Sequence, residues 1–220
     1  MSTKRLLIII ALIILFLLPR IIQRVVYKKL TNYLSTQQYD QFESLLDGFW
    51  CTFSFRPFNR EYMRLTSYFM QNDAQKISKQ LNNLFENIKL NDQQEVAIAN
   101  RAFYFYLEQK NNPKAKEMLE KCKQKDENHN EVDTMEIMYS IIGEKKSEHI
   151  KDIQSRLAIL QKESDAYTNH TKIIKIGVFE YMIGLQYSYL HNKKESKKYL
   201  ESALKHCKNT PYESQIQALL

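Results

Sequence analysis

Apolar residues recur at steps of three and four along most of this chain, the spacing of helices that each bury one stripe. The clearest stretch runs from Glu180 to Ala203. Glu180, Ile183, Gly184 and Tyr187 are followed by a polar break at His191-Asn192-Lys193, then by Ser196, Leu200 and Ala203. This pattern predicts two helices joined by a tight turn. Weaker copies lie upstream. A Tyr stands three residues after an apolar or small residue at Leu30/Tyr33, Leu65/Tyr68, Phe103/Tyr106 and Gly184/Tyr187; Glu136/Tyr139 keeps only the Tyr. The Tyr spacings are 35, 38, 33 and 48 residues.

After each Tyr come a polar break and a second amphipathic segment. These segments carry Phe42, Leu45, Leu46 and Phe49; Ile77, Leu81 and Leu84; Ala115, Leu119 and Cys122; Ile150, Ile153 and Leu157; and the Ser196 unit above. The breaks hold helix-start chemistry. Asn112-Pro113 reads as a cap followed by Pro at the first helical position. Asp92-x2-Glu95 and Thr210-Pro211-x-Glu213 read as capping boxes. Gly143 is positioned to end a helix in the left-handed conformation. The 48-residue spacing implies about 14 extra residues relative to a 34-residue period. They are expected to lengthen the helix ending near Ser164 and the one starting near Thr168, with a loop between. Thr210 to Leu220 reads as one short terminal helix that covers the last repeat.

These residues resemble the tetratricopeptide repeat, a pair of antiparallel helices. Gly184, Tyr187, Ser196, Leu200 and Ala203 fit its pattern, as do Tyr106, Ala115, Leu119 and Cys122. Glu180 stands where a bulky apolar residue is usual. The resemblance covers roughly residues 23 to 208 and implies an all-α antiparallel helix-pair solenoid of about five repeats. Small residues such as Gly184 and Ala203 are then expected where helices cross closely.

The start of the chain differs from all this. Leu6 to Leu18 is an unbroken apolar run of thirteen residues, about 20 Å of helix. That is short for a bilayer core of about 30 Å. Apolar character resumes at Ile21, Ile22, Val25 and Val26, however, and no small-x-small cleavage pair follows the run. We expect an uncleaved transmembrane anchor over residues 1–26 and a repeat domain over 27–220. Positive flanks at Arg20, Arg24, Lys28 and Lys29 outweigh, four charges to three, Lys4, Arg5 and the α-amino group, which favours a single-pass protein at the cell membrane with its soluble domain facing the cytoplasm.

Charge sharpens that division. The net charge is +7, yet the first acidic residue is Asp40, and six basic residues precede it. Removing those six leaves 26 basic against 25 acidic side chains. The repeat region is nearly neutral, so no nucleic-acid partner is expected. Only four Gly and four Pro are present, which argues for helices and against loop-rich folds or phosphate cradles. Cys51, Cys122 and Cys207 are far apart, and the five His include no pair at helical ligand spacing. No metal, cofactor or catalytic residue is expected, and the chain reads as non-enzymatic.

What the resemblance implies about function is a partner bound on the concave face, lined by the first helix of each pair. The candidate protein- or peptide-binding residues are Tyr62, Phe69, Asn100, Tyr104, Leu107, Tyr181, Leu185 and Tyr189. Their aromatic and apolar character suits a peptide with hydrophobic anchors. Two roles fit: a membrane-tethered scaffold, or a peptide-responsive regulator of the same fold. Phe49 to Phe58 holds four Phe and the only Trp. It reads either as a core plug between repeats or as a contact with the membrane interface.

Overall fold

Helix after helix in this chain ends at the Tyr ladder. The structure is a computed structural model that describes residues 3–125 and 129–220, with side chains for 18–125 and 132–220. Among the described residues the fold is all α. The chain divides into two compact units, Met1–Asn91 and Asp92–Leu220. The first contains α1 (Thr3–Ser35), α2 (Tyr39–Asp47), α3 (Phe49–Ser54), α4 (Pro57–Gln71) and α5 (Ala74–Asn87). The second contains α6 (Asp92–Glu108), α7 (Asn112–Lys125) and α8 (His129–Met138), which runs into a π turn at Tyr139–Gly143. It continues with α9 (Ile150–Gln161), α10 (His170–Tyr189), α11 (Lys193–His206) and α12 (Tyr212–Gln217).

At Tyr33, Tyr68, Tyr106 and Tyr187 the first helix of a pair ends in one and the same motif. The Tyr carbonyl accepts from the N–H five residues on: Gln38 at 2.8 Å, Asp73 at 3.3 Å, Asn111 at 2.8 Å and Asn192 at 2.9 Å. The next carbonyl accepts from the residue three further on, as in Gln37 to Leu34 and His191 to Ser188. The residue four after each Tyr is left-handed, with φ of 56° at Gln37, 53° at Asn72, 57° at Lys110 and 54° at His191. This is a Schellman ending, which satisfies carbonyls that a helix end would otherwise orphan. The residue that closes it also opens the next helix. Asp73, Asn111 and Asn192 accept from the N–H three residues on, at 3.0, 3.3 and 3.2 Å. Gln38 holds the same place without a side-chain cap bond.

Two expected helix-end details shift. The cap of α7 is Asn111, one residue before Asn112; the Asn112 side chain instead donates to the Gly143 carbonyl at 3.0 Å. Gly143 is not left-handed. It lies in the π turn, where an added Cβ would stand 2.9 Å from the Tyr139 ring, and Lys145 takes the positive φ of 58°. The Tyr139 carbonyl accepts from Glu144 at 3.1 Å, so the extra residue of the π turn delays the ending. The expected capping boxes are also rearranged. Asp92 and Glu95 pair with Lys125 of α7. Glu213 accepts from the Asn209 N–H at 2.8 Å, while the Thr210 hydroxyl donates to the Cys207 carbonyl.

The predicted stripes form the cores. In the first unit Val26, Leu30, Phe42, Leu46, Cys51 and Phe55 pack together, and Leu65 of α4 and Ile77, Leu81 and Leu84 of α5 are buried. In the second, Phe103, Ala115, Leu119 and Cys122 are buried where α6 meets α7. The α10–α11 pair buries Ser196, Leu200 and Ala203. Its crossing is close for a stated reason. A Cβ on Gly184 would come within 2.8 Å of Leu200 Cγ, and one on Gly177 within 2.5 Å of Cys207 Sγ and 2.8 Å of His206 Cβ. The extra length in this region goes to the π turn and to the 20-residue α10. The joint expected near Ser164 to Thr168 is a run of turns over residues 162–169, tied by Lys172 to Glu163 and Asp165.

Phe49 departs from its expected stripe. Gly48, extended at φ −68° and ψ 154°, stops α2, and Phe49 opens α3 with 70% of its surface exposed. The transmembrane expectation covers residues 1–26, of which 1–17 lie outside the residues whose side chains are described. Among the described residues no helix is long and apolar enough to cross a membrane.

Candidate functional site

The eight residues expected to line a concave face separate into two groups. In the first unit Tyr62 and Phe69 lie half-buried on α4, and the Tyr62 ring stacks on Phe58 at 5.6 Å. In the second unit Asn100, Tyr104 and Tyr189 are half-buried, whereas Leu107, Tyr181 and Leu185 are buried. Those last three belong to the core and present no open face. Leu107 is buried on α6, and for Tyr181 and Leu185 the reason lies in α10, which is buried without a break from Phe179 to Gln186. It packs against α9 on one side and α11 on another, and Tyr181 meets α12.

The helix α12 packs on α11 and reaches α10 at Tyr181. Tyr181 donates its hydroxyl to Gln215 Oε1 at 3.1 Å, its ring stands 5.8 Å from Tyr212, and Ile216 is fully buried. Burial raises the Tyr212 phenol well above its ordinary value, and Tyr104, Glu108 and Tyr181 add to the rise. Tyr212 therefore sits among residues of both α6 and α10. Burial likewise holds the Glu108 carboxyl above the usual range and lifts the Tyr181 and Tyr189 phenols. Tyr189 is committed elsewhere, donating to the Ile141 carbonyl at 3.0 Å. Nothing in the sequence pattern separates Tyr212 from an ordinary surface aromatic; its place follows from the Thr210-Pro211 turn that folds α12 back.

Two polar clusters could be mistaken for reactive centres. Glu180, buried on α10, accepts from Ser202 Oγ at 2.8 Å and lies 2.8 Å from His206 Nδ1. A nucleophile relay needs the imidazole between hydroxyl and acid. Here the carboxylate lies between the other two, so the trio ties α10 to α11. This also explains an acid at a position expected to be apolar. In the first unit Arg64 bonds Glu43 at 3.0 Å and Glu61 at 2.8 Å, and pairs with Asp47. Burial depresses its pKa, but the three carboxylates more than offset this and leave it raised. Gln80 of α5 donates to Glu61 at 2.8 Å, so the network ties α2, α4 and α5.

The cysteines behave as buried apolar residues. Cys51, Cys122 and Cys207 are free and buried, and burial raises the Cys207 thiol to about 11. Among the described residues no three His, Cys, Asp or Glu side chains gather as a metal site would need. Comparison with protein families, with curated proteins and with solved structures finds no match to this chain.

Proposed function

We propose that this protein is a non-enzymatic, membrane-tethered adaptor whose tetratricopeptide-like helix pairs hold a protein or peptide partner. The observation that carries this reading is the repetition of one turn, with its Schellman ending and immediate new cap, at Tyr33, Tyr68, Tyr106 and Tyr187. A chain that repeats one structural unit builds extended surface, and repeat proteins use such surface for binding. Residues 1–26 form the anchor and 27–220 the binding region, facing the cytoplasm. Tyr62, Phe69, Asn100, Tyr104 and Tyr189 are the candidate contact residues that keep exposed surface, and of these Tyr189 has its hydroxyl committed to the Ile141 carbonyl. The test is photo-crosslinking in cells from positions 62, 69 and 104. Saturable capture of one protein from the membrane fraction supports the reading, and diffuse labelling that does not saturate rejects it.

A second reading has its own support. Because α12 lies over Tyr181 beside Tyr104, a peptide able to displace it would turn the second unit into a peptide-responsive regulator. Its signature is a peptide-dependent rise in melting temperature that persists when Tyr212→Ala and Ile216→Ala loosen α12. A screen giving no such rise rejects it.

A further inference from the structure

The helix α3 is apolar on two sides. Cys51 and Phe55 point into the core with Val26 and Leu30, while Phe49, Trp50 and Phe53 are 70%, 54% and 61% exposed. The three outward rings form a cluster. Phe49 meets Trp50 edge-on at 5.3 Å and stacks with Phe53 at 6.0 Å. Single exposed hydrophobes are ordinary, but a contiguous group of large rings marks a contact surface.

The neighbouring surface says what it contacts. On α1, Leu18, Ile21 and Val25 are exposed at steps of three and four. Further along, Lys29 and Tyr33 line one recess of about 460 Å³ together with Asp40, Ser44, Phe49 and Trp50. Arg20, Arg24, Lys28 and Lys29 are all exposed, and no acidic residue precedes Asp40. Length fits as well. About 30 Å of hydrocarbon takes about 20 helical residues, and counted from Leu6 that length ends at Val25. Val26 to Leu30, and the α3 packed on them, then fall at headgroup depth. Lys28 and Lys29 fall there too, and Arg20 and Arg24, inside that length, reach it by extending their side chains toward the interface. Aromatic rings and basic side chains are the residue types favoured there.

We infer that the Phe49, Trp50 and Phe53 face seats in the headgroup layer of an anionic bilayer, so that the first unit lies on the membrane from which α1 emerges. The inference rests on the tether reading above, and the two fail separately. Trp50 is the only tryptophan in the chain, so its fluorescence reports depth without a label. The test reconstitutes the full chain in vesicles of phosphatidylcholine and phosphatidylglycerol carrying a quencher either at the headgroup or at the acyl-chain end. Flotation after an alkaline wash is scored in parallel.

The expected result is flotation, blue-shifted Trp50 emission, and stronger quenching from the headgroup label than from the acyl-end label. The variant Phe49→Ser/Phe53→Ser leaves the buried Cys51 and Phe55 untouched. It should float equally well and lose the headgroup quenching, with its helical circular dichroism retained. A chain that floats while Trp50 stays fully open to aqueous iodide overturns this inference and leaves the tether reading standing. Trp50 shielded only after a soluble protein fraction is added also overturns it, because the face is then a protein contact. A chain that does not float overturns both.

Discussion

The α1–α2 and α10–α11 pairs turn in the same way and pack differently. Both turns carry a left-handed residue four after the Tyr and an N–H returned to the Tyr carbonyl. Beyond the turn they diverge. The α10–α11 crossing is made by Gly177, Gly184, Ser196 and Ala203, with Ser196 Oγ donating to the Gly184 carbonyl at 3.0 Å. Among the described residues, those the α1–α2 pair buries are Val26, Leu30, Phe42 and Leu46, none of them small. Its second helix stops after nine residues, and the chain continues as α3 with rings turned outward. Main-chain bonding sets the turn; the size of the side chains at the crossing sets how closely and how far the second helix follows the first.

The largest expected effect comes from filling the close crossing. Gly177→Ala should cost about 2 kcal/mol, the strain of a Cβ forced on His206 and Cys207 exceeding the gain in helix propensity. Chemical denaturation checks this, and a loss below about 0.5 kcal/mol would show that the helices simply separate. Caps should give a smaller contrast. Asn192→Ala removes a bond to the Glu195 N–H and should cost about 1 kcal/mol, whereas Gln38→Ala should change little because Gln38 makes no cap bond. Equal effects at the two positions would contradict the reading that only backbone bonds are shared.

Smaller still is a gain. Lys110 sits at φ 57°, a conformation costing an L residue about 1 kcal/mol that glycine escapes. Lys110→Gly should therefore stabilise the chain by a few tenths to about 1 kcal/mol in the same assay. The last effect is silent at neutral pH. The Cys207 thiol has its pKa raised from 9.0 to about 11 by burial. A raised folded value means this contribution is complete below pH 9 and lost as pH climbs toward 11. Stability of Cys207→Ala should fall less steeply than wild type between those values, and a parallel slope would assign the loss to other groups.

Much of the fold was readable from spacing alone. The Tyr ladder and the stripes at Ile77-Leu81-Leu84 and Ala115-Leu119-Cys122 follow from helical periodicity, and the two stripes are buried as their period requires, whereas of the ladder only Tyr106 is buried; the close crossing at Gly184 followed from the repeat resemblance. Gly177 was not readable, because no partner pattern marks it; its need for space appears only when α11 brings Cys207 against it. The site was read less well. Periodicity shows that Tyr181 and Leu185 lie on a helix side with other apolar groups, but a helix covered all round has no side that spacing can single out as open. Phe49 was misplaced in the Phe42-Leu45-Leu46 stripe for the converse reason: Gly48 breaks the register on which that stripe depended, while for the rest of Phe49 to Phe58 spacing left core and membrane contact both open.

The turn also bears on how such a chain drifts over time. Its fixed points are carbonyls and N–H groups, and Gln, Asn, Lys and His all occupy its left-handed position. Letters at these places are therefore weakly tied to the shape they serve. Copies of the unit can lose their spelling well before they lose their geometry, and kinship among such chains is better sought in the rhythm of their turns than in the residues that fill them.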